Sequence, residues 1–285
     1  MAQTLGPYHV VDIPAPRRPT PRLLDVYWSK HTIFGLLEVD VTVPRRIIDD
    51  HKTRTGEALS FTGFLVFCLA RAVDEDKSVQ AYPKGRRQLV IYEDVDVAIA
   101  VEREMAGTRA PVGHVIRRAN GKSYLDIHRE IRAVQSGAPP RSTGLPPLLQ
   151  FGLSLPGPLG GFFASLLSAV VRYRPAISVA AGGTVAVTAV GMFGRRGGWG
   201  LVPFPHPLGL VVCGISEKPA VVDGRIEARE FLSLTVALDH DVVDGAPAAR
   251  FMRRLAELIE SGEGLREVDA EDNGPAATQP AVDAG

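Results

Sequence analysis

His240 stands among three carboxylates, Asp239, Asp241 and Asp244. An imidazole ordinarily titrates at about 6.5, so near neutral pH it can take a proton and give it back. A base of that kind converts a thiol or a hydroxyl into a working nucleophile. A carboxylate beside it can orient the ring. A loop histidine between solvated aspartates has the same local sequence, so the surrounding elements must decide.

Those elements are well marked. Leu232, Leu234, Val236 and Leu238 alternate with smaller or polar residues over 230–238, the period of a half-buried strand. The alternation stops at Asp239-His240. After Gly245 the period becomes helical, with Ala248, Phe251, Met252, Leu255, Leu258 and Ile259 on one face, Pro247 in the first turn and Gly262 at the end. Upstream, Leu208–Ser216 and Ala220–Val222 read as apolar strands, and Asp223-Gly224 is a strong hairpin signal. His240 is therefore expected at a strand exit, where a rigid element can hold a side chain still and still present it.

The rest of the chain supplies more strands and helices. Residues 1–22 are rich in proline and arginine and read as an extended arm. Strands are expected at 32–42, Gln88–Tyr92, Val95–Val101, Pro111–Ile116 and Thr184–Val190, with Glu93-Asp94 as a turn between the second and third. Helices are expected at Val43–His51, at Ser60–Val73 with Ser60 as its cap, and at Tyr124–Val134. Residues 138–182 alternate Pro and Gly with dense apolar groups. Their clean apolar run, Phe162–Val171, is shorter than the ~20 residues a membrane span needs. A buried helix, an interfacial helix or a subunit contact is expected there. Residues 263–285 are acidic and Pro- and Ala-rich, and read as a disordered tail. The strands do not alternate with helices, so the pattern is α+β, a mixed sheet with helices packed against it.

Bulk properties narrow the class. The chain has 285 residues, is 45% hydrophobic and carries no net charge, which suits a globular body and disfavours nucleic acid as a partner. Cys68 and Cys213 lie far apart in apolar runs and read as buried thiols in a reducing compartment, the cytoplasm, with no metal site. Met1–Arg18 has no apolar core of a secretory signal. The glycine-dense loop 191–200 matches neither nucleotide-binding fingerprint.

Asp239-His240-x-x-x-Asp244-Gly245, at a strand exit before an Ala-rich helix, resembles the signature of the catalytic domain of the 2-oxo acid dehydrogenase dihydrolipoyl acyltransferases. Gly183–Gly191, Pro203–Pro207, Val95–Val101, Pro111–Ile131 and Val39–Thr42 resemble further stretches of that family, so the likeness covers about residues 20–262. It implies a two-layer fold like that of chloramphenicol acetyltransferase, with the catalytic domain at 23–262. It also implies transfer of an acyl group between coenzyme A and a dihydrolipoyl-type thiol. His240 would be the base, Thr188 the oxyanion donor and Asp244 an orienting group. Asp239 and Gly245 would shape the turn, Gly245 by letting the backbone turn tightly into the helix. Arg195 and Arg196 could meet coenzyme A phosphates or simply stand in solvent. The family's site lies between subunits of a homotrimer, with the histidine from one and the hydroxyl from its neighbour.

Three departures stand out. Asp241 replaces the arginine that usually follows the motif histidine. The stretch before the likeness is too short for a lipoyl domain, so a lipoyl group is expected from another protein, such as a dehydrogenase-complex subunit. Residues 138–182 are longer and more apolar than the family's loop and could remodel the acyl pocket or the oligomer contact. A non-lipoyl acceptor (hydroxyl, amine or other thiol) and a non-catalytic trimeric assembly protein of the same fold are the alternatives.

Overall fold

The computed structural model describes residues 6, 8–105, 108–141, 146–189 and 197–272. Strand β1 spans Thr32–Asp40, and helices α2 and α3 follow at Thr42–Thr55 and Phe61–Glu75, after a first helix α1 at Thr20–Trp28. Ser60 caps α3 by accepting from Gly63 N at 3.1 Å, as its position predicts. A two-stranded sheet joins β2, Tyr82–Lys84, to β3, Gln88–Val90. Strands β4, Val97–Met105, and β5, Thr108–Ile116, form an antiparallel pair. Helix α4, Tyr124–Gln135, starts with a capping box between Ser123 and Asp126. Helices α5, Pro147–Ser154, α6, Gly157–Tyr173, and α7, Pro175–Gly182, lead to β6 at Val185–Ala189. A long hairpin of β7, Leu208–Val222, and β8, Arg225–Asp239, ends in helices α8, Gly245–Ser261, and α9, Leu265–Asp272.

The main sheet is mixed, in the order β1-β8-β7-β6-β4-β5. β6 runs parallel to both β4 and β7, and the other pairs are antiparallel. Alternation decides its two faces. Leu232, Leu234, Val236 and Leu238 of β8 point with Leu208, Leu210 and Val212 of β7 into a core shared with α3, α4 and α8, and are buried. The opposite face carries a smaller cluster of Ala186, Phe204, Val211, Cys213 and Ala237. The expected α+β, two-layer architecture is thus present, and Cys68 and Cys213 are buried free thiols.

Several expectations are corrected. The arm at 1–22 is not extended to its end, because α1 begins at Thr20, and Arg22 donates to Leu155 O and Gly157 O. Gln88–Val90 does not form a hairpin with β4 through Glu93-Asp94; it pairs with β2, and Tyr82 Oη anchors that small sheet on Gly183 O and Thr184 O. Leu208–Ser216 and Ala220–Val222 are one strand. Its inner half is buried on both faces and its outer half alternates, with a register irregularity between Val212 and Ile215, so the pattern reads as a break. The apolar stretch 138–182 does contain helix as expected, in three pieces, and among the described residues no helix is long and apolar enough to cross a membrane. The acidic tail begins as α9, whose Leu265 and Val268 are buried, an apolar i, i+3 pair hidden among charges; 273–285 lie outside the described residues.

One glycine fixes the start of β6. Gly183 has φ +82°, and a Cβ there would sit 2.5 Å from Asp96 O. Gly183→Ala is expected to cost about 2–3 kcal/mol in denaturant unfolding, whereas Gly121→Ala, where a Cβ meets nothing within 4 Å, should stay within about 0.5 kcal/mol. Equal effects would contradict this reading of β6.

Candidate functional site

β8 ends at Asp239, and the chain turns through His240 and Asp241 into α8. The turn is held by the residues that precede β1. Thr32 lies opposite Asp239 in the antiparallel register, which brings Lys30 and His31 to the turn. His240 N donates to His31 O at 2.9 Å. His31 Nδ1 donates to Asp241 Oδ1 at 2.9 Å. Lys30 Nζ donates to Pro205 O at 2.7 Å and lies 3.7 Å from Asp239 Oδ2. Burial pulls the Lys30 ammonium below its usual range, opposed by the charge and hydrogen bonding of Asp239 and by the charge of Asp241.

Asp239 is the pivot. Its side chain is only 4% exposed. Its carboxylate accepts from Asp241 N at 3.1 Å, and its carbonyl accepts from Val242 N and Val243 N. Its own N–H donates to Pro207 O at 2.8 Å. The backbone of 239–243 is thereby fixed while the His240 side chain stays 45% exposed, available to a substrate.

The other expected residues fall in different places. Asp244 is the N-cap residue of α8 without a side-chain capping bond. Its Oδ1 lies 3.9 Å from His240 Nδ1, beyond hydrogen-bond length but close enough for charge to act. Asp241 faces His31 rather than the imidazole of His240. Gly245 has no positive φ, and a Cβ there would meet nothing within 4 Å, so the tight turn expected of it is not what a glycine supplies. Arg195 and Arg196 lie outside the described residues.

Thr188 is half-buried on β6, on the face that carries Ala186 and Val211. It pairs across to Val211, which pairs to Thr235. His240 is five residues beyond Thr235. At about 3.3 Å per residue and two strand spacings of about 4.8 Å, Thr188 and His240 are roughly 15–20 Å apart within one chain. A single chain does not bring them together.

Sequence reasoning missed Lys30, His31 and the role of the Pro203–Pro207 loop. His206 of that loop is half-buried, donating from Nε2 to Gly182 O at 2.9 Å, with a buried and unpartnered Nδ1. Burial, opposed by that bond and aided by the charge of Lys30, lowers its pKa to about 4. The available signal was two basic residues just before a strand whose partner ends at the motif. Among the described residues no His, Cys, Asp and Glu group could hold a metal ion.

Comparison with known proteins gives the family and the fold. The model of a family described as 2-oxoacid dehydrogenases acyltransferase (catalytic domain) matches residues 35–144 and 174–266. The lipoamide acyltransferase component of the branched-chain alpha-keto acid dehydrogenase complex of Bacillus subtilis is 27% identical over 233 residues, covering 80% of this chain and 46% of its own. The chain thus spans less than half the length of that relative. A dihydrolipoamide acetyltransferase of Azotobacter vinelandii, studied for the roles of a serine, a histidine and an asparagine in its catalytic mechanism, superposes with a TM-score of 0.62 at 19% identity, covering 92% and 99% of the two chains. The cubic core of a pyruvate dehydrogenase multienzyme complex superposes with the same score, identity and coverage.

The turn yields a differential prediction. Asp239→Ala strands Lys30 and frees the Asp241 amide, and should cost about 2–4 kcal/mol in denaturant unfolding. Asp241→Ala breaks an exposed pair and should cost less than about 1 kcal/mol. Losses of the same size would mean that Asp239 is not the pivot.

Proposed function

The chain belongs to the family of 2-oxoacid dehydrogenase acyltransferase catalytic domains, and we propose that it moves an acyl group between coenzyme A and a thiol at a site that two copies complete. The thiol is a dihydrolipoyl group on another protein. His240 takes the thiol proton, and the sulfur attacks the thioester carbonyl of acyl-CoA. The oxyanion that forms takes a hydrogen bond from the Thr188 hydroxyl of a neighbouring copy. Collapse breaks the carbon–sulfur bond to coenzyme A, whose thiolate recovers the proton from the imidazolium. Asp244 favours that imidazolium by its charge. The reverse transfer uses the same groups with the two thiols exchanged.

The observation that carries this reading is His240 on its fixed turn, exposed and beside Asp244, with the only aligned hydroxyl too far away to act in the same chain. Spacing adds support. In the Azotobacter vinelandii enzyme the studied serine precedes the histidine by 52 positions and the asparagine follows it by four; Thr188 and Asp244 stand at the same separations from His240. Oligomeric assembly fits both, with a homotrimer as the smallest closed ring that shares sites head to tail. The cubic core named above offers a larger assembly as a further possibility for this chain. A second reading keeps the chemistry and changes the acceptor to another thiol, a hydroxyl or an amine. It is favoured by α6, which falls between the two stretches the family model matches and lies against the catalytic turn.

The test is turnover of acyl-CoA with dihydrolipoamide. His240→Gln should lower kcat by about 10²–10⁴, and Thr188→Val by about 10²–10³, with thermal unfolding unchanged. Wild-type turnover unaffected by His240→Gln would remove the assigned base, and absence of both turnover and coenzyme A binding would favour a non-catalytic assembly protein.

A further inference from the structure

Two adjoining cavities lie between α1, α6, α7 and the catalytic turn, with volumes of about 300 and about 320 Å³. They share Val26, Lys30, Tyr82 and Val171. One, the inner, is lined also by Leu167 and His206, and the other, the outer, by Asp239 and Asp241, the residues on either side of His240. Leu167 and Val171 belong to α6, in the segment between the two stretches that match the family model.

We propose that these cavities receive the acyl chain of the thioester and select an uncharged chain of about eight carbons over acetyl and succinyl groups. The inference rests on the acyltransferase reading given above and adds the substrate class. Size is the first argument. At roughly 30 Å³ per water-sized group, each cavity holds about ten non-hydrogen atoms, so an acetyl group leaves most of it empty. The walls are the second. Val26, Leu167 and Val171 present hydrocarbon, and each methylene moved from water onto such walls favours binding by roughly fourfold.

The polar groups are the third argument. The Lys30 ammonium is already committed to Pro205 O and Asp239. His206, with its pKa lowered to about 4, is neutral at pH 7 and adds no cation to the walls. Burial keeps Tyr27 protonated by raising its pKa. A second carboxylate on the acyl group would arrive desolvated at the inner end, with the Lys30 ammonium already engaged and the Arg172 guanidinium lining only the outer cavity. The outer cavity supplies the path, since it opens at the two neighbours of His240.

The experiment measures kcat/KM for acetyl-, succinyl-, hexanoyl- and octanoyl-CoA with dihydrolipoamide, and calorimetric binding of acetyl- and octanoyl-CoA to the same protein. Octanoyl-CoA should exceed acetyl-CoA at least tenfold in both, with succinyl-CoA lowest. Val171→Trp fills the space shared by the two cavities and should lower the octanoyl-to-acetyl ratio at least tenfold. Binding data on the wild-type protein decide the matter if that variant does not fold. Turnover that favours acetyl- or succinyl-CoA, or a ratio unmoved in folded Val171→Trp, overturns the pocket and leaves the acyltransferase reading standing. Tighter binding of octanoyl-CoA without turnover of any thioester leaves the pocket standing and overturns the acyltransferase reading.

Discussion

The organisation of the site depends on one edge contact, the antiparallel pairing of β1 with the last strand of the hairpin. That register places Lys30 and His31 against Asp239, His240 and Asp241. Three interactions of different kinds then act on three consecutive residues: a buried charge pair, a backbone hydrogen bond and an exposed side-chain hydrogen bond. Their strengths differ. The buried carboxylate of Asp239 would be costly without Lys30 and the amide of Asp241, while solvent weakens the pair of Asp241 with His31. The outcome is a braced backbone carrying the half-exposed imidazole of His240. That suits a base that must meet a substrate without rearranging.

The same pairing settles what Asp241 does in place of the expected arginine. It reaches sideways to His31, just before β1, not back to the His240 ring. The turn is therefore braced from β1, and the aspartate most able to influence the imidazole is Asp244 at the head of α8. The sheet geometry imposes a second condition. Residues on β6 and residues past the end of β8 are separated by two strand spacings and about five residues of rise. Thr188 and His240 could act together only across an interface between copies, so the proposed chemistry requires assembly.

Much of this was legible beforehand because the relevant signals are local. Alternation over 230–238, the Asp223-Gly224 turn and the helical face from Ala248 to Ile259 each follow from neighbouring residues, and each is present. Ser60 as a cap is of the same kind. What was not legible depends on partners distant in sequence. β3 chose β2 over β4 because Tyr82 ties the small sheet to the entry of β6. The outer half of β7 alternates only because it leaves the body of the sheet. α9 is helical because Leu265 and Val268 find a core among acidic neighbours. Lys30 and His206 acquire meaning only when the chain closes around them. Gly245 fits the motif by its type, and its backbone asks nothing of a glycine.

The central claim is that the catalytic groups come from two copies of the chain. It is tested most directly by co-expressing His240→Gln and Thr188→Val chains and measuring acyl transfer by the mixed oligomer. Each variant alone should be nearly inactive. Random mixing in a head-to-tail ring should restore about a quarter of the wild-type activity per site, since that share of interfaces pairs an intact histidine with an intact hydroxyl. Mixed oligomers no more active than the better of the two single variants would contradict the account.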